Sequence, residues 1–305
     1  MRKIVVIGAS AIDILGQTQN HPIAHDSNPG RIEITVGGVG HNIALVLAAL
    51  GMQVDLVSPL ADDEFGKIIG SLLKDAPFRF HPLRKNKGKT PIYLAACDDH
   101  GVLELGINDF SLLDRFNSED LTIISNVLVN ADALVLDANL PQKLIAFLLE
   151  VKPLIPVYCD GVSQKKVLRF KPYLDNISAI KVNRKELLSL YGLKASTDDT
   201  EISKLISGEE ASFIVTNGSE PLIYNDNGKI ASEKPKTPMK YLTSTGAGDA
   251  LFAGYIHAIE SGLSKDEAIR RGLQLARMTF ENGLAKLGQL PLDHILEEEC
   301  ARNGQ

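Results

Sequence analysis

The chain has 305 residues, 44% of them apolar, and a formal net charge of −6. That length can close one large hydrophobic core, the acidic balance argues against a general nucleic-acid or membrane-surface binder, and no run of about 18 apolar residues offers a membrane span. Three widely spaced cysteines, Cys97, Cys159 and Cys300, make neither a disulfide framework nor a zinc motif, so reduced thiols and a cytoplasmic setting are expected.

Residues 3–8, rich in Val and Ile and ending in Gly8, read as a central parallel strand. The basic-then-apolar start also mimics a signal peptide, but its apolar run is too short for one. Asp13 follows five residues past Gly8. Ligands of open α/β sheets sit beyond the carboxyl ends of strands, so an acid here can hold a polar substrate or serve as a turn aspartate. Residues 12–17 and 31–36 read as short strands around a turn-rich loop. Gly37, Gly38 and Gly40 then open a helix that is apolar on nearly all sides and ends at Gly51. Such a helix is a buried one. Asn42, its polar exception, points at a ligand or caps a neighbour. The three glycines match a dinucleotide loop only in part, because no GxGxxG follows a strand and no acid sits at the right distance.

Residues 53–58 read as a strand, and Asp62, Asp63 and Glu64 open the next helix. Residues 78–83, 90–97 and 102–107 read as strands outside the βα rhythm. With the early pair they make a small β-sheet lid, formed by segments about 12–36 and 78–107. Asn108 and Asp109 end that lid, within reach of a bound sugar.

From Ala131 strands and helices alternate, with strands over 131–137, 155–160 and 179–182. This predicts a mostly parallel sheet with helices on both faces. Asn183 and Glu186 open a helix at capping-box spacing. They also share one face of a first turn, from which both can reach a magnesium–phosphate complex through water. Residues 211–216 form a strand ending at Asn217, Gly218 and Ser219, and 221–224 with 229–232 form a hairpin. The stretch 242–254 is a Gly-rich turn running into a helix. Gly246 and Gly248 let the backbone approach a ligand. The first N–H groups of the helix lack internal partners and sit at its positive end, which suits a phosphate. Asp249 is either an N-cap or the acceptor of a proton from a hydroxyl about to attack phosphorus. A second helix spans about 264–280, and the acidic tail 295–305 is expected to fray.

Gly37-Gly38 with Asn42, Asn183 with Glu186, the Thr216-Asn217-Gly218 turn and Gly246-Ala247-Gly248-Asp249 share their order and spacing with one family. The chain resembles the ribokinase-like (PfkB) carbohydrate and nucleoside kinases over almost its whole length. That resemblance implies a single three-layer α/β/α domain over residues 1–305, with a mostly parallel central sheet and the small lid. It implies an ATP-dependent phosphotransferase with Asp249 as catalytic base and the amides of Gly246, Ala247 and Gly248 as the anion hole. Asn183 and Glu186 would support Mg2+ through water. Asn183, Thr216, Asn217, Gly218, Thr245, Gly246 and Gly248, with Lys166, would bind ATP. Asp13, Gly37, Gly38, Asn42, Asn108, Asp109 and Asn139 would hold a small nucleoside or sugar. Segments 26–32, 107–109, 137–139 and 160–163 look most like a nucleoside kinase of that family. Two residues depart from it. His41 stands where related kinases often carry Arg. Thr243 stands where Asp or Asn is usual beside a monovalent-cation site, which leaves potassium activation open. The one macromolecular partner expected is a second copy, in a homodimer through the lid; neither nucleic acid nor a membrane is expected.

Overall fold

The computed structural model describes residues 2–85, 87–150, 154–237 and 245–288. Leu242, Thr243 and Ser244 of the Gly-rich stretch, with the potassium expectation that rests on Thr243, and Cys300 and the tail 295–305, expected to fray, lie outside these residues.

The apolar run after Arg2 becomes β1 (Lys3–Ile7), whose residues Ile4 to Ile7 are wholly buried. It lies between β4 (Gln53–Ala61) and β8 (Ala133–Asp137), parallel to both. Outward from β8 come β9 (Val157–Asp160), β10 (Ala179–Asn183) and β11 (Ser212–Asn217), all parallel. Beyond them β12 (Glu220–Asp226) and β13 (Lys229–Glu233) close the sheet as an antiparallel hairpin. Beyond β4 on the other side lies β5 (Arg79–Lys85).

Because successive strand residues face opposite sides, β1 feeds two cores. Ile4 and Val6 pack with α1 (Val39–Ala49), α2 (Glu64–Leu72), α7 (Ala247–Glu260), α8 (Lys265–Asn282) and α9 (Leu284–Leu287). Val5 and Ile7 pack with α3 (Ser118–Leu128), α4 (Gln142–Glu150), α5 (Arg184–Tyr191) and α6 (Asp199–Ser207). The result is three layers, α/β/α. Among the described residues no helix is long and apolar enough to cross a membrane.

A separate four-stranded sheet holds β2 (Ala11–Thr18), β3 (Gly30–Gly37), β6 (Ile92–Cys97) and β7 (Leu103–Asp109), in the order β3-β2-β6-β7. The strand expected over 78–83 does not join it. That segment is β5, paired in parallel with β4 at the edge of the large sheet. Its letters, Arg-Phe-His-Pro-Leu-Arg-Lys, carry the half-polar pattern of an edge strand, so they lack the apolar run that marks a central parallel strand. Yet Leu83 is fully buried and Phe78, just before the strand, is core. The crossover through α2 therefore belongs to the main fold.

Candidate active site

Strands β1, β8, β9, β10 and β11 all end on one edge of the large sheet, where α1, α5 and α7 begin. This is where open α/β sheets bind ligands. The start of α1 depends on two glycines. Gly38 caps the helix at φ 95°, and a Cβ there would fall 2.5 Å from the Ala9 carbonyl oxygen. A Cβ on Gly37 would fall 2.0 Å from Asp13 Oδ2. The Asp13 carboxyl thus lies directly over the backbone of Gly37, and burial pushes it up to about 6.

Asn42, on the first turn of α1, is buried and donates from Nδ2 to Asp249 Oδ2 at 2.7 Å. This joins α1 to α7 and places the two predicted residues side by side. Asp249 is 8% exposed. Burial, and then the nearby Asp160 charge, push it up to about 7, while Lys181 and the Asn42 hydrogen bond pull the other way. Its helix opens at Gly246, φ 79°, with no side-chain cap among the described residues, so its first-turn amides have no acceptor within the helix.

Lys181 was missed by the sequence reading. It is a buried lysine on β10 whose Nζ donates to Asp160 Oδ2 at 2.7 Å. Burial opposes its charge, but Asp160, Asp249 and Glu186 outweigh that and raise its pKa. A Cβ on Gly248 would lie 3.1 Å from Nζ, so the cation sits against the Gly-rich turn. The signal was present: a lysine inside the apolar strand Ala179–Asn183 must have acidic partners.

Asn183 and Glu186 form a complete capping box. Asn183 Oδ1 accepts from Glu186 N at 2.9 Å, and Glu186 Oε2 accepts from Asn183 N at 2.9 Å. Glu186 Oε1 also accepts from Asn183 Nδ2 at 2.6 Å. Burial raises the Glu186 pKa and Lys181 opposes this. The capping bonds already occupy part of the donor capacity of these oxygens. As hard oxygen donors they fit Mg2+ through its water shell rather than as direct ligands.

Thr216, Asn217 and Gly218 line a cavity with Gly248, Ala276 and Phe280, among others. Lys166 does not line it. Its Nζ donates to Asn139 Oδ1 at 2.6 Å and stands 4.4 Å from the Phe110 ring centre. The structure therefore groups Lys166 with a predicted substrate residue. Asn108 and Asp109 part company for a similar geometric reason. Across the small sheet Thr35, Asp13, Tyr93 and Asn108 share one register row, so they share one face. Asp109 falls in the row of Ile12 and Ile92 on the opposite face, and its Oδ1 accepts from Ser111 N at 3.0 Å. It caps the next turn. His41 is buried, 3.2 Å from Asn42 Oδ1 through Nδ1, and burial holds it down to about 4, so it stays neutral.

The chain matches the profile of the pfkB family carbohydrate kinases over residues 1–291 and belongs to that family. Among individual relatives, it is 28% identical to "Pseudouridine kinase" of Escherichia coli (strain K12) over 272 residues, 88% of this chain and 87% of that protein. It superposes on a carbohydrate kinase from Agrobacterium tumefaciens with a TM-score of 0.77 and 27% identity, over 98% of this chain and 96% of that one. It superposes on Arabidopsis thaliana ribokinase, solved with ribose and ATP, with a TM-score of 0.74 and 21% identity, over 95% and 100% of the two chains. The fold is ribokinase-like.

The capping box generates the first prediction. Asn183→Ala should cost about 1 kcal/mol of unfolding free energy in a urea titration. Glu186→Gln keeps an acceptor for the cap, so it should cost less while raising the magnesium needed for half-maximal rate. Equal magnesium dependence in both variants and the wild type would leave the pair as a helix cap alone.

Proposed function

We propose that this kinase transfers the γ-phosphoryl group of ATP to the 5′-hydroxyl of a nucleoside, pseudouridine in particular. The observation that carries this reading is the register row Thr35, Asp13, Tyr93 and Asn108. It sets hydroxyl, carboxylate, aromatic and amide groups on the same sheet face, next to the glycines that open α1. An acceptor lying there has a carboxylate for ribose hydroxyls and an aromatic ring with an amide for a base. The similarity to a protein named pseudouridine kinase supports the same substrate.

In this reading Asp13, Gly37, Gly38, Asn42 and Asn139 hold the ribose. Asp249 accepts the proton of the 5′-hydroxyl as its oxygen bonds to the γ-phosphorus and the bond to the β,γ-bridging oxygen of ATP breaks. ADP leaves with that electron pair. The amides of Gly246, Ala247 and Gly248 and the Lys181 ammonium meet the charge on the transferring group. Thr216, Asn217, Gly218 and Thr245 line the way for the nucleotide. Asn183 and Glu186 would hold Mg2+ through its water shell, and the ion would supply neutralising charge at the phosphates. Cytoplasm suits the reaction, since ATP is abundant there and the free thiols of Cys97 and Cys159 stay reduced.

The opposite face of the small sheet supports the homodimer. Ile32, Ile34, Leu105 and Ile107 are 72%, 59%, 54% and 56% exposed, and with Leu94 they occupy two register rows set two residues apart, which therefore share one face. An apolar patch of that kind is where a second copy would sit.

Each part of this reading has an expected outcome. Asp249→Asn should fold, bind ATP and lose roughly 10²–10⁴-fold in kcat. Wild-type kcat/KM should fall as the pH drops through about 7, where Asp249 takes up the proton it must otherwise accept; a near-normal Asp249→Asn rate rules out the base. Pseudouridine should exceed uridine in kcat/KM by at least about tenfold, equivalent to ~1.4 kcal/mol, and Asn108→Ala should weaken pseudouridine use without touching ATP binding. Preference for free ribose or fructose would point to a different specificity within the family. Finally, Ile34→Asp with Ile107→Asp should halve the mass seen by sedimentation; an unchanged mass removes the lid-to-lid dimer.

A further inference from the structure

Asp137 ends β8 and is 1% exposed. Its carboxylate is filled by backbone donors from three separate segments. Oδ2 accepts from Ala9 N at 2.8 Å and from Gly40 N at 3.0 Å. Oδ1 accepts from Asn139 N at 2.8 Å. The joint is tight. A Cβ on Gly8 would fall 2.4 Å from Oδ2, and one on Gly40 would fall 2.8 Å from the Gly8 Cα.

The start of α1 explains why the joint is needed. Gly38 provides no side-chain cap, so the first-turn amides of α1 have no local acceptor. A carboxylate from β8 takes one of them and places negative charge at the positive end of the helix. The same carboxylate fixes the backbone of Asn139. It thereby binds together two groups on either side of the strand ends: α1, whose Asn42 holds Asp249 at 2.7 Å, and Asn139, whose Oδ1 holds the Lys166 ammonium at 2.6 Å.

We infer that Asp137 is a positioning residue that sets the spacing between the start of α1 and Asn139, and through that spacing the fit of the phosphoryl acceptor. It is not a second base, since its oxygens already accept three backbone N–H groups. The effect on acceptor binding rests on the proposed placement of the acceptor between α1 and Asn139. The joint itself does not.

Two measurements separate these levels. The first needs no variant and no substrate. Gly40 N lies in the first turn of a helix, where amides ordinarily exchange freely, so in the wild-type protein its hydrogen exchange should be slowed strongly, together with that of Ala9. Fast exchange at Gly40 overturns the joint. The second uses Asp137→Asn, nearly isosteric, in which an NH2 must face either the Ala9–Gly40 pair or Asn139, donor against donor. Exchange should accelerate in peptides covering 8–13, 38–45 and 138–141 and stay unchanged across α7. The acceptor KM should rise about tenfold or more while the ATP KM stays within about twofold, since a displaced Asn139 and α1 start lose binding contacts with the acceptor and not with ATP. Parallel rises in both KM values, or an unchanged acceptor KM, overturn the positioning role. If the wild-type chain phosphorylates no nucleoside or sugar, the proposed function fails while the exchange data still judge the joint. If Asp137→Asn does not fold, Gly8→Ala, which crowds the same carboxylate, serves for the kinetic test with the same expected and overturning results.

Discussion

One buried ammonium makes the rest of the site affordable. Asp160, Glu186 and Asp249 come from three different elements and are each under 10% exposed. Three carboxylates sharing such a region would repel one another and resist burial. Lys181 stands among them, bonded to Asp160 and close enough to the other two for its own proton to be held more firmly. The compensation is incomplete for Asp249, which remains raised to about 7. In the proposed mechanism that shift suits Asp249 to act as the base. A carboxylate at its ordinary pKa is a weak base, and one held near neutrality is better matched to accepting a hydroxyl proton.

How much of this was legible in the letters depended on whether the constraint was local. The capping box at Asn183 and Glu186 is a spacing rule within one turn, and the structure forms it in full. The Gly37-Gly38 turn and the buried helix after it are likewise local, because conformational freedom at Gly38 and apolar spacing in α1 are read from neighbouring residues. The bond between Asn42 and Asp249 was not foreseen, since it joins residues far apart in the chain; the letters left Asn42 to a ligand or a cap. Lys181 was passed over as an ordinary strand position, and Asp137 entered only as part of the segment 137–139 that carries the family resemblance. Their partners come from β9, from the turn after β1 and from α1, and no local pattern announces them. The edge strand β5 went to the wrong sheet for the converse reason: its local pattern is half-polar, and only its parallel register with β4 decides its place.

Asn108 and Asp109 show the limit of reading adjacent residues as one feature. In a strand neighbours face opposite ways, so a pair at the end of β7 divides between the two faces. The register with β6 assigns Asn108 to the row of Tyr93 and Asp13, and Asp109 to the row of Ile92 and Ile12. The local hydrogen bond to Ser111 then fixes the second as a turn residue.

In the proposed dimer the same alternation would tie substrate binding to self-association. In a strand successive side chains face opposite ways, so each side chain on the proposed acceptor's side has neighbours along its strand aimed away from it. Thr35, Asp13, Tyr93 and Asn108 form the polar row. Ile34, Leu94 and Ile107, one position along their strands, form part of the exposed apolar face. A one-residue slip of any strand would exchange the two sets. Pairing of the apolar faces in a dimer would oppose such a slip, because it would drive polar side chains into the contact. In that arrangement the second copy adds no group to the chemistry. It would hold the register that keeps Asp13 and Asn108 on the proposed acceptor's side, so the selectivity of the site and the stability of the interface would draw on one strand pairing.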